Sequence, residues 1–198
     1  MACEESTARD RSNGWEAVAR RFIAERTRIG AETVRSWSRG LPAGASVLDL
    51  GCGTGVPVAE TLIAQGCRVS GIDAAPSLVE AFRRRFPETP VACEAVEESE
   101  FFGRTYDGIV AIGLMFLLSP EVQRTVLRRV ASALNPRGRF LFTAPTQVVT
   151  WADLLTGRPS VSLGDAAYRQ ALSDAGLEIV GEFVDEGQNH YYDAARRA

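Results

Sequence analysis

Three glycines and a nearby pair of carboxylates are spaced for binding a nucleoside-containing ligand. The apolar run that includes Asp49 leads directly into a Gly-x-Gly-x-Gly loop at residues 51–55, and helix-forming sequence follows. In open α/β folds such a loop lies at the carboxyl end of a strand, where a ligand can approach the backbone closely. Asp73 lies 22 residues after Gly51, where a carboxylate can accept hydrogen bonds from both ribose hydroxyls. The pattern predicts a site for an adenosine-containing ligand.

Two further residues narrow the class of ligand. The dinucleotide fingerprint needs a small residue three positions after its second glycine, and Val56 stands there. Asp49 is an acid inside an apolar strand, so its carboxylate needs loop N–H groups or a cationic ligand as a partner. Both features disfavour a nicotinamide dinucleotide, although the acid at Asp73 alone does not distinguish it from other adenosyl cofactors.

Composition excludes several function classes. The 198 residues suit one domain, residues 1–198, and carry a net charge of -3, which argues against a nucleic-acid partner. All 22 basic residues are arginine, so neither Schiff-base chemistry nor a phosphate-binding lysine is available. The four cysteines have no metal-ligand spacing and the chain contains one histidine, so we expect no metal site.

The distribution of apolar residues argues against a membrane-spanning segment and against a signal peptide. No apolar run approaches the ~20 residues needed to span a bilayer. The opening residues, MACEESTARD, carry acids where a signal peptide has a basic start and an apolar centre. We therefore expect a cytoplasmic protein with no membrane partner, and the sequence leaves its oligomeric state open.

Strands and helices alternate along most of the chain. Residues 13–39 predict two helices that Gly30 separates, and the following alternation predicts a doubly wound, mostly parallel sheet. The predicted strands are at residues 47–50, 67–72, 91–93, 106–112 and 139–143. The predicted helices between them begin near Pro57, Pro76 and Pro120. Residues 145–163 are expected to form a lid-like loop with at most a short helix near 151–155. Residues 177–195 should form an antiparallel hairpin because only about five residues separate their two strands.

At this point the chain resembles a known family. Residues 47–55, Val-Leu-Asp-Leu-Gly-Cys-Gly-Thr-Gly, are similar to the signature of class I S-adenosylmethionine-dependent methyltransferases. Residues 71–73 resemble the ribose-binding segment of that family, and residues 93–96 resemble its adenine-edge segment. The resemblance implies a Rossmann-like seven-stranded sheet with an antiparallel last strand, N-terminal capping helices, and S-adenosylmethionine as the cofactor.

The resemblance also implies positions for the cofactor contacts. The glycine loop would face the methionyl part and the sugar, and the backbone after the fourth strand would face the methionyl amine. Arg26 could pair with the cofactor carboxylate. The implied cofactor-binding residues are Asp49, Gly51, Cys52, Gly53, Gly55, Asp73, Ala74, Glu94, Ala95, Val96, Ile112, Gly113 and Arg26.

The acceptor is expected on the far side of the cofactor. Met115 and Phe116 follow the fourth strand and predict an apolar wall, to which Trp15 and Trp151 could add. Trp15 belongs to a segment similar to one in the capping helices of small-molecule members. The turn before the last strand should lie at the cofactor end of the sheet, so His190 or Tyr191 could remove a proton from the acceptor.

Three functions remain open at this stage. The family resemblance favours methyl transfer to a small, partly apolar metabolite, because the chain lacks the Asn-Pro-Pro-Tyr and Pro-Cys motifs of base-modifying members. A cofactor-binding protein without turnover is the main alternative, and a nicotinamide-dependent oxidoreductase is the third. The sequence does not specify the acceptor atom.

Overall fold

Short strands and helices alternate along residues 10–197, the part of the chain that the computed structural model describes. Cys3 and most of the opening segment that was compared with a signal peptide lie outside this range. The helices are α1 (Trp15–Glu25), α2 (Ala31–Ser38), α3 (Val58–Ala64), α4 (Pro76–Arg85), α5 (Pro120–Ala133) and α6 (Asp165–Asp174). The strands are β1 (Ser46–Leu50), β2 (Arg68–Asp73), β3 (Val91–Cys93), β4 (Tyr106–Ala111), β5 (Leu134–Thr143), β6 (Val148–Ala152), β7 (Pro159–Leu163), β8 (Leu177–Val184) and β9 (His190–Arg196). Within residues 10–197, no helix is both long and apolar enough to cross a membrane.

Seven of these strands form one twisted sheet. Their order is β3-β2-β1-β4-β5-β9-β8, and β9 alone runs antiparallel to its neighbours. This order confirms the predicted doubly wound, Rossmann-like sheet with an antiparallel last strand. Strand β1 pairs with β2 on one side and with β4 on the other, so the chain reverses its direction across the sheet after β3 and a crevice opens at the carboxyl end of β1.

Helices cover both faces of this sheet, as the continuous apolar strands require. Side chains of α2 and α3, such as Trp37 and Leu62, pack on one face, and side chains of α5 and α6, such as Leu127 and Leu172, pack on the other. The N-terminal helix α1 is different. It packs chiefly on α4 through a small separate cluster of Ala19 with Leu78 and its neighbours.

The segment 145–163 is ordered differently from the prediction. Instead of a loop with a short helix, β6 and β7 form a two-stranded antiparallel hairpin. The connection is a tight turn in which Asp153 Oδ1 accepts hydrogen bonds from the N–H groups of Leu155 and Thr156, at 3.1 and 2.7 Å. Gln123 Nε2 also donates to the carbonyl of Val161 at 2.9 Å. The hairpin is therefore fastened to α5, which a free lid would not be.

Candidate active site

The glycine loop after β1 is fixed by a carboxylate on the neighbouring strand. Asp73 Oδ2 accepts the Gly53 N–H at 2.8 Å, and its Oδ1 accepts the Ala75 N–H at 2.8 Å. Gly51 and Gly53 have φ angles of 69° and 53°, which L residues rarely adopt. The loop therefore has a defined shape, and Asp73 keeps lone pairs for additional hydrogen bonds.

A cavity of about 610 Å3 opens directly over this loop. Its size falls within the range typical of small-molecule sites. It brings together most of the residues expected to bind the cofactor. Those that line it are Arg26, Gly51, Cys52, Gly53, Asp73, Ala74, Glu94, Ala95, Val96, Ile112 and Gly113.

The wall formed by residues 94–97 is held from behind. Glu94 Oε1 accepts the hydroxyl of Ser99 at 2.6 Å, so this carboxylate is already engaged with its own turn. Arg129 on α5 donates to the carbonyls of Val96 and Glu97, at 3.2 and 2.6 Å. These contacts fix the segment expected to meet an adenine ring.

The floor beneath the glycine loop is acidic. Asp73 lines the cavity, whereas Asp49, which was expected to bind the cofactor, is buried behind that lining and does not reach the cavity. Asp49 is 1% exposed, and burial, with the charge of Asp73 adding to it, raises the pKa of Asp49 to about 8. Burial also raises the pKa of Asp73, although the N–H groups of Ala75 and Gly53 act in the opposite direction. A cationic ligand would lower the raised pKa values of Asp49 and Asp73, because it would stabilise both carboxylates in their charged forms.

Cys52 also belongs to this floor. Burial raises the pKa of its thiol, so the group is protonated and inert at neutral pH. Cys52 therefore contributes shape to the cavity and not a nucleophile.

Helix α1 covers the cavity from above. Trp15, Phe22 and Arg26 line it, and the Trp15 and Phe22 rings meet edge to face at 5.2 Å. Arg26 Nε donates to the carbonyl of Val56 at 2.6 Å, and the guanidinium lies 5.0 Å from the centre of the Phe22 ring. The guanidinium retains N–H groups on its other nitrogens for a ligand.

Two hydrogen-bond tethers hold this cover in place. The Glu16 carboxylate accepts both the N–H and the hydroxyl of Ser77, so it caps the N-terminus of α4 from α1. Asn13 Nδ2 donates to the carbonyl of Leu117 at 3.1 Å, across the mouth of the cavity. The cover is thus attached to both sides of the crevice.

An apolar wall follows β4, as expected, but its members differ from the prediction. Phe116 lines the cavity and Leu114 lines it beside Gly113. Met115 was expected there and does not reach it, because its side chain is fully buried in the core between the sheet and α5. Trp151 does not line the cavity either, and instead packs behind Phe116 with ring centres 5.4 Å apart.

The structure does not bring the expected proton acceptors to the cavity. His190 Nε2 lies 3.2 Å from Glu182 Oε1, and its ring packs on Tyr192 with centres 4.6 Å apart. The Tyr191 hydroxyl is buried and donates to Asp185 at 2.8 Å. The turn between β8 and β9 does lie near the cofactor end of the sheet, but it packs against the segment between α1 and α2, where Gly30 N–H donates to Glu186.

Gly55 is also outside the cavity lining. A Cβ at this position would lie 2.5 Å from a ring atom of Phe86 and 2.9 Å from ring atoms of Phe82. This glycine therefore permits close packing of α4 on the loop, and is not placed to face a ligand.

Several lining residues had no signal in the sequence. Residues 10–13 approach the cavity from the start of α1, and Asp153 approaches it from the β6–β7 turn. Neither segment carries a motif, because long-range packing alone brings them to the site. Phe22 and Leu78 could have been found from the helical spacing of apolar residues, but that spacing equally indicates ordinary packing.

The site fits an adenosyl sulfonium. Among the residues described, Asp49 Oδ2 and Trp15 Nε1 are buried without a hydrogen-bond partner, one as an acceptor for a cation and one as a donor. A Cβ at Gly53 would lie 3.3 Å from the Phe22 ring, within the space beneath the cover, while a Cβ at Gly113 would meet no atom within 4 Å. The glycine cradle, the ribose-type acid and the acidic floor match the sugar and the positively charged methionyl part of such a ligand.

Comparison with known sequences gives one family match and a group of relatives. The family model described as "Methyltransferase domain" matches residues 47–138. A ubiquinone biosynthesis O-methyltransferase of Xanthomonas axonopodis pv. citri (strain 306) is 29% identical over 160 residues, which cover 79% of this chain and 59% of that protein. The chain thus matches less than two thirds of the length of this relative.

Solved structures share the fold. The CcbJ methyltransferase of Streptomyces caelestis superposes with a TM-score of 0.73 at 17% identity, over 96% of this chain and 98% of that one. The 1,6-didemethyltoxoflavin-N1-methyltransferase of Burkholderia thailandensis, solved with 1,6-didemethyltoxoflavin and S-adenosylhomocysteine, gives a TM-score of 0.70 at 20% identity, over 94% and 91% of the two chains. The chain is thus similar to methyltransferases in the sequence of residues 47–138 and in its fold.

Proposed function

We propose that the protein transfers a methyl group from S-adenosylmethionine to a small, partly apolar metabolite. The observation that carries this proposal is one cavity that combines the glycine loop and the Asp73 carboxylate with an apolar wall. The relatives named above support it, since they include methyltransferases of small molecules by name.

When bound, S-adenosylmethionine supplies an electrophilic methyl group on a positively charged sulfur. Asp73 would hold the ribose, and Asp49 would offset the positive charge of the methionyl part. The backbone at residues 51–53 and 112–113 would fix the position of the sulfur. Because in-line alignment of acceptor and methyl group can be worth effective molarities of ~10⁵ to 10⁸ M, positioning is the main task of these residues.

The acceptor would sit between the cover and the wall after β4. Trp15, Leu114 and Phe116 present apolar surface there, which excludes water and favours a flat or partly apolar molecule. The acids that line this end are engaged locally: Asp10 accepts the N–H groups of Ser12 and Gly14, and Asp153 accepts those of its own turn. The acceptor would therefore release its proton to water or react in its deprotonated form.

Methyl transfer from labelled S-adenosylmethionine to a panel of phenols, amines and thiols tests this proposal. We expect S-adenosylhomocysteine to bind in a calorimeter and at least one acceptor class to become labelled. Binding without transfer to any acceptor would favour a cofactor-binding protein without turnover. Tighter binding of NADH than of S-adenosylhomocysteine would favour the oxidoreductase and contradict the proposal.

We further propose that its partner is a small molecule and not a nucleic acid, and that it acts in the cytoplasm. The net charge of -3 supports the first point, because phosphate backbones are collected by basic surfaces. The free thiols of Cys52, Cys67 and Cys93 fit the second, since reducing compartments keep thiols free.

A further inference from the structure

A second concave site lies away from the cofactor cavity. It has a volume of about 420 Å3 and is formed by the turn before β4 and the C-terminal half of α5. Three of its lining side chains are arginines, namely Arg104, Arg128 and Arg129, and we call it the arginine groove. It lies at the amino end of β4, whereas the cofactor cavity lies at the carboxyl ends of the strands.

Within residues 10–197, no ion pair neutralises the three arginines of the arginine groove. Glu100 is the single carboxylate that lines it within residues 10–197. The ion pairs of this part of the chain, at N···O distances up to 4.0 Å, involve none of the three groove arginines. Three arginine side chains therefore line one surface depression of a protein whose net charge is -3.

The guanidinium groups are held in place before any ligand arrives. Arg104 donates to the hydroxyls of Ser70 and Tyr106 and stacks on the Tyr106 ring, with its central carbon 5.1 Å from the ring centre. Arg129 donates to two backbone carbonyls, and its central carbon lies 4.9 Å from the centre of the Phe101 ring. Each guanidinium has five N–H groups, so donors remain for a ligand.

The remaining wall of the groove supplies hydroxyls and a strained turn. Thr125 and Ser132 carry hydroxyls along the α5 side. On the other side, Phe101 has a φ angle of 49°, which is costly for a residue with a side chain. The buried Phe101 ring and Ala133 add apolar surface to the floor.

We propose that the arginine groove binds a small phosphate monoester. A phosphate group matches the fork geometry of preorganised guanidinium groups and accepts hydrogen bonds from hydroxyls. The apolar floor would cover the organic part of the ester, which a free phosphate ion lacks. The groove shares Arg129 with the support of the cavity wall at residues 94–97, and phosphate binding in the groove does not require the proposed function to be correct.

Calorimetric titration of the full chain with phenyl phosphate and with inorganic phosphate tests the site. We expect phenyl phosphate to bind more tightly, and Arg128→Gln and Arg104→Gln each to weaken it by about fivefold or more, because each removes a charge-assisted contact. Arg124→Gln is the matched control, since Arg124 lies one turn away on α5, outside the groove, and carries the same charge. We expect that variant to change affinity by less than about twofold.

Three outcomes would overturn the proposal. These are no phenyl phosphate binding at about 10 mM, an equal loss of affinity in Arg124→Gln, or equal affinity for inorganic phosphate. The second outcome would indicate general surface charge, and the third a site for free phosphate. Because Arg128 is exposed and holds only the hydroxyl of Thr125, Arg128→Gln keeps the test valid if Arg104→Gln does not fold.

Discussion

Asp73 connects the two strands on which the candidate active site depends. Its two oxygens accept N–H groups from the glycine loop and from the start of α4, and its free lone pairs face the cavity. One carboxylate thus shapes the loop and presents acceptors for a ribose. We therefore expect that replacing Asp73 lowers the affinity for a ligand more than replacing an exposed acid does.

We expect Asp73→Ala to weaken S-adenosylhomocysteine binding by at least about tenfold, because each hydrogen bond to a buried carboxylate is worth roughly 1.5 to 3 kcal/mol. Isothermal calorimetry measures this directly. Asp174→Ala, an exposed acid at the end of α6, serves as the control and should bind normally. Unchanged affinity in Asp73→Ala would remove this residue from the site.

The raised pKa of Asp49 predicts how the folding stability depends on pH. Its pKa is raised to about 8 from 3.8, so the folded protein keeps a proton that the unfolded chain loses above pH ~4. The unfolded state then binds fewer protons, and the stability that this group contributes falls as pH rises from about 4 to about 8.

Urea unfolding at pH 5 and pH 9 measures this effect when the wild type is compared with Asp49→Asn, which cannot ionise. We expect the stability of the wild type relative to the variant to fall by about 1 kcal/mol or more between the two pH values. The stability of the wild type relative to the control Asp174→Asn should be the same at pH 5 and pH 9. An equal pH dependence in the wild type and Asp49→Asn would show that Asp49 is ionised throughout.

At the scale of elements, α1 is a cover that depends on few contacts. Its apolar cluster is small and separate from the two main cores, and Glu16 fastens it to Ser77 at the start of α4. The other carboxylate on this helix, Glu25, is exposed and forms an ion pair with Arg21 on the same helix. Glu16 and Glu25 can therefore be compared to test which contacts hold α1 in place.

We expect Glu16→Ala to cost about 1 kcal/mol, as loss of a helix cap does, and to increase hydrogen exchange in α1. Glu25→Ala should leave the exchange of α1 nearly unchanged, since an exposed ion pair is worth little. Hydrogen exchange followed by mass spectrometry distinguishes the two. Equal protection of α1 in Glu16→Ala and the wild type would contradict a tethering role.

The elements also show what sequence patterns can predict. The glycine loop, Asp73 and the alternation of strands and helices followed from local signals, since turn chemistry and apolar runs are encoded within a few residues. The β6–β7 hairpin was missed because Pro145 and Pro159 indicate loop, while its order comes from Gln123 and the Asp153 turn.

Side-chain direction was harder to predict than element position. Met115 and Phe116 are adjacent after β4, and only the turn that they form decides which of them faces the core. Likewise, His190 lies at the expected end of the sheet, but its ring faces Glu182 and not the cavity. Sequence placed these residues near the site, and packing decided which of them reach it.

At the scale of the whole molecule, one ion pair with a buried carboxylate joins three elements in two layers, the sheet and the helix layer on it. Asp193 on β9 is fully buried, accepts two hydrogen bonds from Arg139 on β5, and accepts the indole N–H of Trp37 on α2 at 3.0 Å. This cluster connects the antiparallel strand β9 to the helix layer. We therefore expect its loss to weaken the packing of that layer on the sheet.

We expect Asp193→Ala to destabilise the fold by about 3 to 5 kcal/mol, because it leaves the Arg139 charge and the Trp37 N–H without their partner. Equilibrium unfolding in urea gives this value. Glu178→Ala, in the exposed ion pair with Arg197 on the same sheet edge, should change stability by less than about 1 kcal/mol. A loss in Asp193→Ala as small as that would mean that the cluster is dispensable.

Because α1 rests on α4 and is not built into the sheet, the residence time of a ligand and the cohesion of the protein depend on different sets of contacts. Substitutions in the cover are expected to change how long a ligand stays while the sheet beneath it keeps its packing. Ligand release can therefore be adjusted in this protein through a single helix.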